Sequence, residues 1–369
     1  MPTVPPRPKT LISAVMITAV ALLLSGCAAG TDDSKPTSTA ATCTNAPADP
    51  LADLVVAKNP RALVGPATAC LSGDAIPVPP VSPTPQLPVT VTDNQGTAVT
   101  VTDASRILAL DLSGTLAATV FALGLGDNVV GRDTSTGFAQ AKRLPEVTRG
   151  GHQLSAEAIL ELHPTVVLTD TSIGPWDVLL QLRQAGIPVV VLTPERSLAN
   201  VTTIVTQVAA ALGVPDSGAT LDASLAARIA ATKSKIASIA PTKNRLRVLF
   251  LYVRGNANVY YVFGKESGAD DLITSLGATD VAAEVGITGM RPVTAESLVQ
   301  AAPDVILVMT KGLESTGGVD GLLKAVPAVA ATPAGENRRI VDMSDYEILS
   351  FGPRTPEVLA ALARALYAS

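Results

Sequence analysis

Two stretches decide how this chain is read: Ser155-Ala156-Glu157-Ala158-Ile159-Leu160-Glu161-Leu162-His163-Pro164-Thr165-Val166-Val167-Leu168, and Thr294-Ala295-Glu296-Ser297-Leu298-Val299-Gln300-Ala301-Ala302-Pro303-Asp304-Val305-Ile306-Leu307. They align without a gap, Glu157 on Glu296, at an offset of 139 residues. In each copy a hydroxyl residue suited to cap a helix precedes a short helical run, a proline stops the run, and an apolar, β-branched segment follows. That segment reads as a buried parallel strand. A unit of this kind occurring twice predicts two equivalent α/β lobes.

The flanking sequence agrees. Ile107 to Leu110, Val129 to Gly131 and Val189 to Leu192 are further strand candidates on the first side, between helical patterns near residues 115–125 and 175–185. Val248 to Tyr252, Arg339 to Val341 and a helix over Thr355 to Tyr367 repeat the theme on the second. Between them Leu221, Leu225 and Ile229 recur every four residues, which predicts a long helix over residues 216–240. Residues 88–102 alternate apolar and polar side chains about Asp93-Asn94-Gln95-Gly96, a β-hairpin pattern. The domains expected are therefore an N-terminal lobe over residues 88–215, the bridging helix at 216–240 and a C-terminal lobe over 241–369.

Upstream, Arg7 and Lys9 precede an apolar run from Leu11 to Leu24 that is too short to span a bilayer. It ends in Leu24-Ser25-Gly26-Cys27, which resembles a bacterial lipobox. Residues 1–26 read as a cleaved signal peptide and Cys27 as the lipidated, palmitate-bearing anchor. Residues 27–87, rich in Ser, Thr, Ala and Pro, read as a stalk. Removing Cys27 from the three cysteines leaves Cys43 and Cys70, an even pair that an oxidising compartment would join. The net charge of −5 excludes a nucleic-acid footprint.

As a set, the hairpin, Arg106-Ile107-Leu108-Ala109-Leu110, Leu123-Gly124-Leu125-Gly126-Asp127-Asn128-Val129-Val130-Gly131, the repeat and the bridging helix resemble the class III substrate-binding proteins of bacterial ABC importers. The resemblance runs from about Pro88 to the C-terminus. It implies two Rossmann-like lobes, each with a central mostly parallel sheet, bridged by one long α-helix and holding ligand in the cleft between them. Gly150-Gly151-His152-Gln153-Leu154-Ser155 and Leu251-Tyr252-Val253-Arg254-Gly255 look closest to the haemin-binding proteins of actinobacterial haem uptake.

For that subgroup the resemblance implies His152 and Tyr252 as axial ligands of haem b, ferric protoporphyrin IX, from opposite faces, with Arg254 in support. The chemistry suits the residues: imidazole and tyrosinate are both haem ligands, and Arg254, at i+2 on a strand, shares the face of Tyr252. His163, before Pro164 at a helix end, reads as structural. Met290, Tyr260, Tyr261, Arg132, Arg291 and Arg354 are further pocket candidates, the arginines as partners for the haem propionates. Glu157 and Glu296 are candidates for docking on the two permease subunits, which an ATPase drives. Other surface haem-binding proteins are possible partners, and the location expected is the extracytoplasmic face of the cell membrane. A ferric siderophore or cobalamin is the alternative cargo. An extracytoplasmic metalloenzyme is the alternative of another class, although no P-loop, His-Glu-x-x-His or Gly-x-Ser-x-Gly pattern occurs.

Overall fold

The computed structural model describes Cys43 and residues 46–369; the signal peptide and Cys27 expected above lie outside the described residues. The chain first meets the C-terminal lobe, through β1 (Ala67–Ala69), and then forms the hairpin of β2 (Val89–Thr92) and β3 (Ala98–Val101), paired antiparallel. Asp93 closes the hairpin's turn, its Oδ1 accepting from the N–H groups of Gln95 and Thr97.

The N-terminal lobe runs through β4 (Ile107–Leu110), α1 (Thr115–Ala122), a short hairpin of β5 (Thr148–Arg149) and β6 (Gln153–Leu154), α2 (Ala156–Glu161), β7 (Val166–Thr169), α3 (Trp176–Gln184), β8 (Val189–Val191) and α4 (Val201–Ala211). Its parallel sheet has the order β4-β7-β8, and every residue of these strands is buried. The strand expected over Val129 to Gly131 is reduced to one bridge, Val129 to Ile107. The ladder stops there because the chain turns away and the Arg132 N–H donates to Pro145 O instead.

The bridging helix α5 (Pro215–Ile239) starts one residue before the expected boundary and ends one before it, about 37 Å long. Its apolar stripe, Leu225, Ile229 and Ile236, is buried in the core of the second lobe. That lobe comprises β9 (Arg247–Arg254), β10 (Val259–Phe263), α6 (Ala269–Ser275), β11 (Thr279–Asp280), α7 (Val281–Glu284), β12 (Met290–Pro292), α8 (Ala295–Ala301), β13 (Val305–Met309), α9 (Thr310–Ser315), α10 (Gly318–Ala325), α11 (Pro327–Ala330), α12 (Pro333–Glu336), β14 (Ile340–Met343) and α13 (Thr355–Tyr367). Its sheet has the order β1-β14-β13-β9-β10-β12, with β11 also on β9. Strands β1, β14, β13, β9 and β11 are parallel, and β10 runs antiparallel to both of its neighbours, β9 and β12.

The repeated segment forms the same structure in both lobes. Ser155 caps α2 by accepting from the Ala158 N–H, and Thr294 caps α8 by accepting from Ser297. At the other end of each helix an arginine holds the terminal carbonyls: Arg106 Nη2 donates to Leu162 O at 2.6 Å, and Arg247 Nη2 to Ala301 O at 2.8 Å. The residues that follow, His163 and Ala302, both take left-handed backbone.

The stalk reading of residues 27–87 does not hold for its described part. Residues 46–73 lie on the C-terminal lobe: β1 pairs with β14, Arg61 pairs with Asp304 at 2.7 Å, and Arg354 donates to Gly73 O at 2.6 Å. Cys43 and Cys70 are joined by a disulfide, Cα to Cα 5.2 Å. From Asp74 onward the same segment lies on the N-terminal lobe. There Asp74 pairs with Lys142, Ile76 and Gln140 exchange two hydrogen bonds, and the Gln86 N–H donates to Gly213 O at 2.8 Å. Polar composition suggested a free stalk, but Leu71 and Ile76 are buried and the lobes satisfy the segment's backbone groups.

Candidate functional site

Strand β9 carries Tyr252 and Arg254 to its C-terminal end. The register pairs Tyr252 with Tyr261, and Phe263 with both Phe250 and Met290, so these side chains share one face of the sheet. Tyr261 is therefore the member of the 260–261 pair on the Tyr252 face, while Tyr260 packs against the opposite core. The Tyr252 ring stacks on Phe263, centroids 5.8 Å apart, and the Arg254 guanidinium lies over the Tyr252 ring at 4.5 Å. Asp345 holds the guanidinium there, Nη2 to Oδ2 2.9 Å, and its other carboxylate oxygen accepts from the Lys311 N–H. The sequence reading missed Asp345, because it lies in the irregular segment after β14 with no motif around it.

His152 sits in the turn between β5 and β6. Gly150 and Gly151 both have positive φ, and open space surrounds the position of a Gly151 Cβ, so backbone conformation alone calls for glycine there. The ring is exposed at the rim, yet flanking protein desolvates it enough to hold its pKa below that of free imidazole. Arg254 of the other lobe adds to this, and Glu146 opposes it. The lowering favours the neutral imidazole, the form that ligates metal.

The lobes meet beside these residues. The Tyr346 ring lies against Gly137, where a Cβ would come within 2.5 Å of it, and Lys311 Nζ stands 4.2 Å over that ring. Thr115 of α1 donates to Ser350 O across the junction. Next to Asp345 a cavity of about 420 Å³ is lined by Leu71, Asp74, Lys311 and Glu347, among others. Leu112 (44% exposed) directly follows the last turn of chain out of β4, and Met290 is 60% exposed. Each lobe thus offers an apolar side chain to water.

Beneath the N-terminal rim lies a buried charge cluster. Asp111 and Asp170, at the ends of β4 and β7, both take the Arg196 guanidinium, Nη2 to carboxylate 2.9 and 2.5 Å. Asp111 also accepts from the N–H groups of Ser113, Thr115 and Leu116, which fastens the start of α1. Burial and the neighbouring Asp111 charge push the Asp133 carboxyl up to about 7. Burial, with Asp111, also raises Asp170 against the pull of Arg196.

A carboxyl raised this way keeps its proton in the folded protein at pH values where the unfolded chain has released it. Its stabilisation is present below about pH 4 and is lost as pH climbs to about 7. Asp133→Asn should flatten this slope. The difference in urea-unfolding free energy between pH 5 and pH 7.5 is expected to shrink by on the order of 1–3 kcal/mol. An unchanged slope would show that Asp133 is ionised in the fold.

The remaining candidates divide. Arg354 is buried and held by Glu347 at 2.8 Å and by Gly73 O, and Arg132 is paired with Glu146 at 3.0 Å, so both guanidiniums are already engaged within the protein. Arg291 is opposite Val262, hence on the other face of the sheet from Tyr252. Glu157 and Glu296 are exposed in the first turns of α2 and α8, and Glu157 meets Arg149 at 3.5 Å. Among the described residues no group of three or more His, Cys, Asp and Glu is arranged to hold a metal ion, and no helix is long and apolar enough to cross a membrane.

Two α/β lobes bridged by α5, with aromatic and charged groups facing across their junction, are the architecture of a substrate-binding protein. The family model for periplasmic binding proteins matches residues 111–347, and the chain belongs to that family. Among solved structures it is similar to the haem-binding protein HmuT, with 41% identity and a TM-score of 0.81 over 85% of this chain and 100% of that one. It is also similar to the periplasmic haem-binding protein RhuT from Roseiflexus sp. RS-1 in apo form, with 41% identity and a TM-score of 0.66 over 72% and 98% of the two chains. The periplasmic haem-binding protein BhuT in complex with two haems is 35% identical, with a TM-score of 0.63 over 71% and 97%. HmuT has also been solved with an arginine, a histidine or a tyrosine replaced by alanine; that tyrosine and arginine are two residues apart, and the histidine precedes the tyrosine by 99. No curated protein sequence matches the chain.

Proposed function

We propose that this protein is an extracytoplasmic haem-binding lipoprotein that delivers ferric haem to an ABC permease and its ATPase. One observation carries the reading. His152, Tyr252 and Arg254 repeat the three residue types probed by alanine in HmuT at nearly the same spacing, 100 residues from histidine to tyrosine and two from tyrosine to arginine. What supports it is an imidazole with a lowered pKa on one lobe and, on the other, a tyrosine whose ring is covered by the Arg254 guanidinium. Exposed Met290 and Tyr261 beside Tyr252, on one face of the sheet, give a flat apolar ligand surface to bury.

Haem iron is held, in this reading, by His152 and Tyr252 from opposite faces, with Arg254 fixed by Asp345 beside the tyrosine. Titrating haemin into the purified protein should give a Soret band that saturates. Absence of saturation, with ferric siderophore or cobalamin bound instead, would overturn the cargo and leave the family intact.

Lipidation of Cys27 would supply the attachment to the extracytoplasmic membrane face, and Glu157 and Glu296 would contact the permease. Cys27→Ala is expected to move the protein from the membrane fraction to the medium with its haem spectrum unchanged. Retention on the membrane would count against the lipid anchor.

A further inference from the structure

Asp345 and Tyr346 are neighbours in the segment after β14, and each grips a different lobe. Asp345 is the one carboxylate paired with Arg254 among the described residues, and its side chain is only 11% exposed. The other acceptors of Arg254 are neutral: Nη1 donates to Val253 O at 2.8 Å, and Nη2 also lies 3.8 Å from Met309 Sδ. A bond to the carbonyl of the preceding residue leaves so long a side chain free to swing. The carboxylate is therefore what fixes the guanidinium over the Tyr252 ring.

Asp345 is itself held. Its Oδ1 accepts from the Lys311 N–H at 2.9 Å, and the ammonium of the same lysine donates to the Tyr346 hydroxyl. Tyr346 in turn is pressed so close to Gly137 of the N-terminal lobe that only glycine leaves room for its ring. A shift of that lobe at Gly137 thus acts on Tyr346 and, through one peptide bond and one lysine, on Asp345. Two roles for Asp345 carry opposite signs. A carboxylate that merely tempered the arginine would weaken its pull on a bound tyrosinate, whereas one that positions the arginine would strengthen it. One bond on each oxygen and near-complete burial are the features of the second.

We propose that Asp345 is a positioning residue for the tyrosine side of the site: it holds Arg254 over Tyr252, and Tyr346, seated on Gly137, ties that hold to the alignment of the two lobes. The proposal rests on the reading of Tyr252 as a haem ligand. Asp345 touches neither iron nor porphyrin in it and acts through the arginine.

The test uses the purified protein without ligand and loaded with haemin. Without ligand, Asp345→Ala is expected to shift the NMR resonances of the Tyr252 ring as far as Arg254→Ala does, because either change takes the cation off the ring. With haemin, Asp345→Ala should release the ligand to apomyoglobin at least about fivefold faster than wild type and move the charge-transfer bands to where Arg254→Ala puts them. Added to Arg254→Ala, it should leave the bands in place and the release rate within about twofold. Gly137→Ala, a change in the other lobe, should move the bands in the same direction. General damage would instead lower the melting temperature and speed release without moving the bands. Slower release from Asp345→Ala, additive effects of the two substitutions, or unmoved Tyr252 resonances would each overturn the positioning role, and wild-type bands in Gly137→Ala would overturn the tie to the N-terminal lobe. If haemin fails to saturate the wild-type protein, the haem reading falls, while the ligand-free resonances still decide whether Asp345 holds Arg254.

Discussion

Loaded with haemin, the Tyr252→Phe and His152→Ala proteins are each expected to keep haem in a five-coordinate form. They should lose the wild-type charge-transfer bands and bind the ligand more weakly than Arg254→Ala does. Removing a supporting partner of a metal ligand costs roughly 10- to 100-fold, so the ligands themselves should cost more. Residual binding persists because the porphyrin still buries its apolar faces against the junction. Arg254→Ala takes the guanidinium off the Tyr252 ring and away from His152, and should shift the spectrum towards the histidine-ligated form. If the tyrosine and histidine variants are both indistinguishable from wild type in spectrum and affinity, the iron is held elsewhere.

Arg196→Ala is expected to lower stability by about 3–5 kcal/mol, the cost of leaving a buried charge without its partner. Here one guanidinium serves two carboxylates, Asp111 and Asp170, whose side chains are fully buried. Asp111 in turn fastens the first N–H groups of α1, so the loss should reach that helix. The same loop abuts the second lobe, since the Leu198 N–H donates to Asp271 Oδ2 at 2.6 Å. Urea unfolding measures the effect directly. A variant within about 1 kcal/mol of wild type would show that water replaces the guanidinium.

Much of this architecture was legible from periodicity. The repeat around Glu157 and Glu296 gave both capped helices and the strands after them, because capping hydroxyl, proline and β-branched run are local signals. The Pro/Ser/Thr-rich segment misled because composition reports what a chain can do alone; its order here comes from partners far along the sequence, β14 and Gln140. Strands β10 and β12 escaped notice because Val259–Phe263 is continuously apolar and Met290–Pro292 is exposed, so neither alternates. At the site, His152 and Tyr252 stood in recognisable segments. Asp345, Tyr346 and Leu112 did not, since their significance depends on which loops the two lobes bring together. Arg132 and Arg354 looked available because sequence does not reveal Glu146 and Glu347 as their partners.

The segment before the hairpin joins the lobes a second time. It is fixed to one through β1 and Gly73 and to the other from Asp74 onward, while α5 makes the first crossing. Two bodies linked at a single point can tilt, twist and sway, whereas linkage at two points leaves rotation about the line between them. Opening is thereby confined to one arc, as with a door hung on two hinges. The rims that carry His152 and Arg254 would then keep one alignment through any such motion, and it need not be found anew whenever cargo arrives.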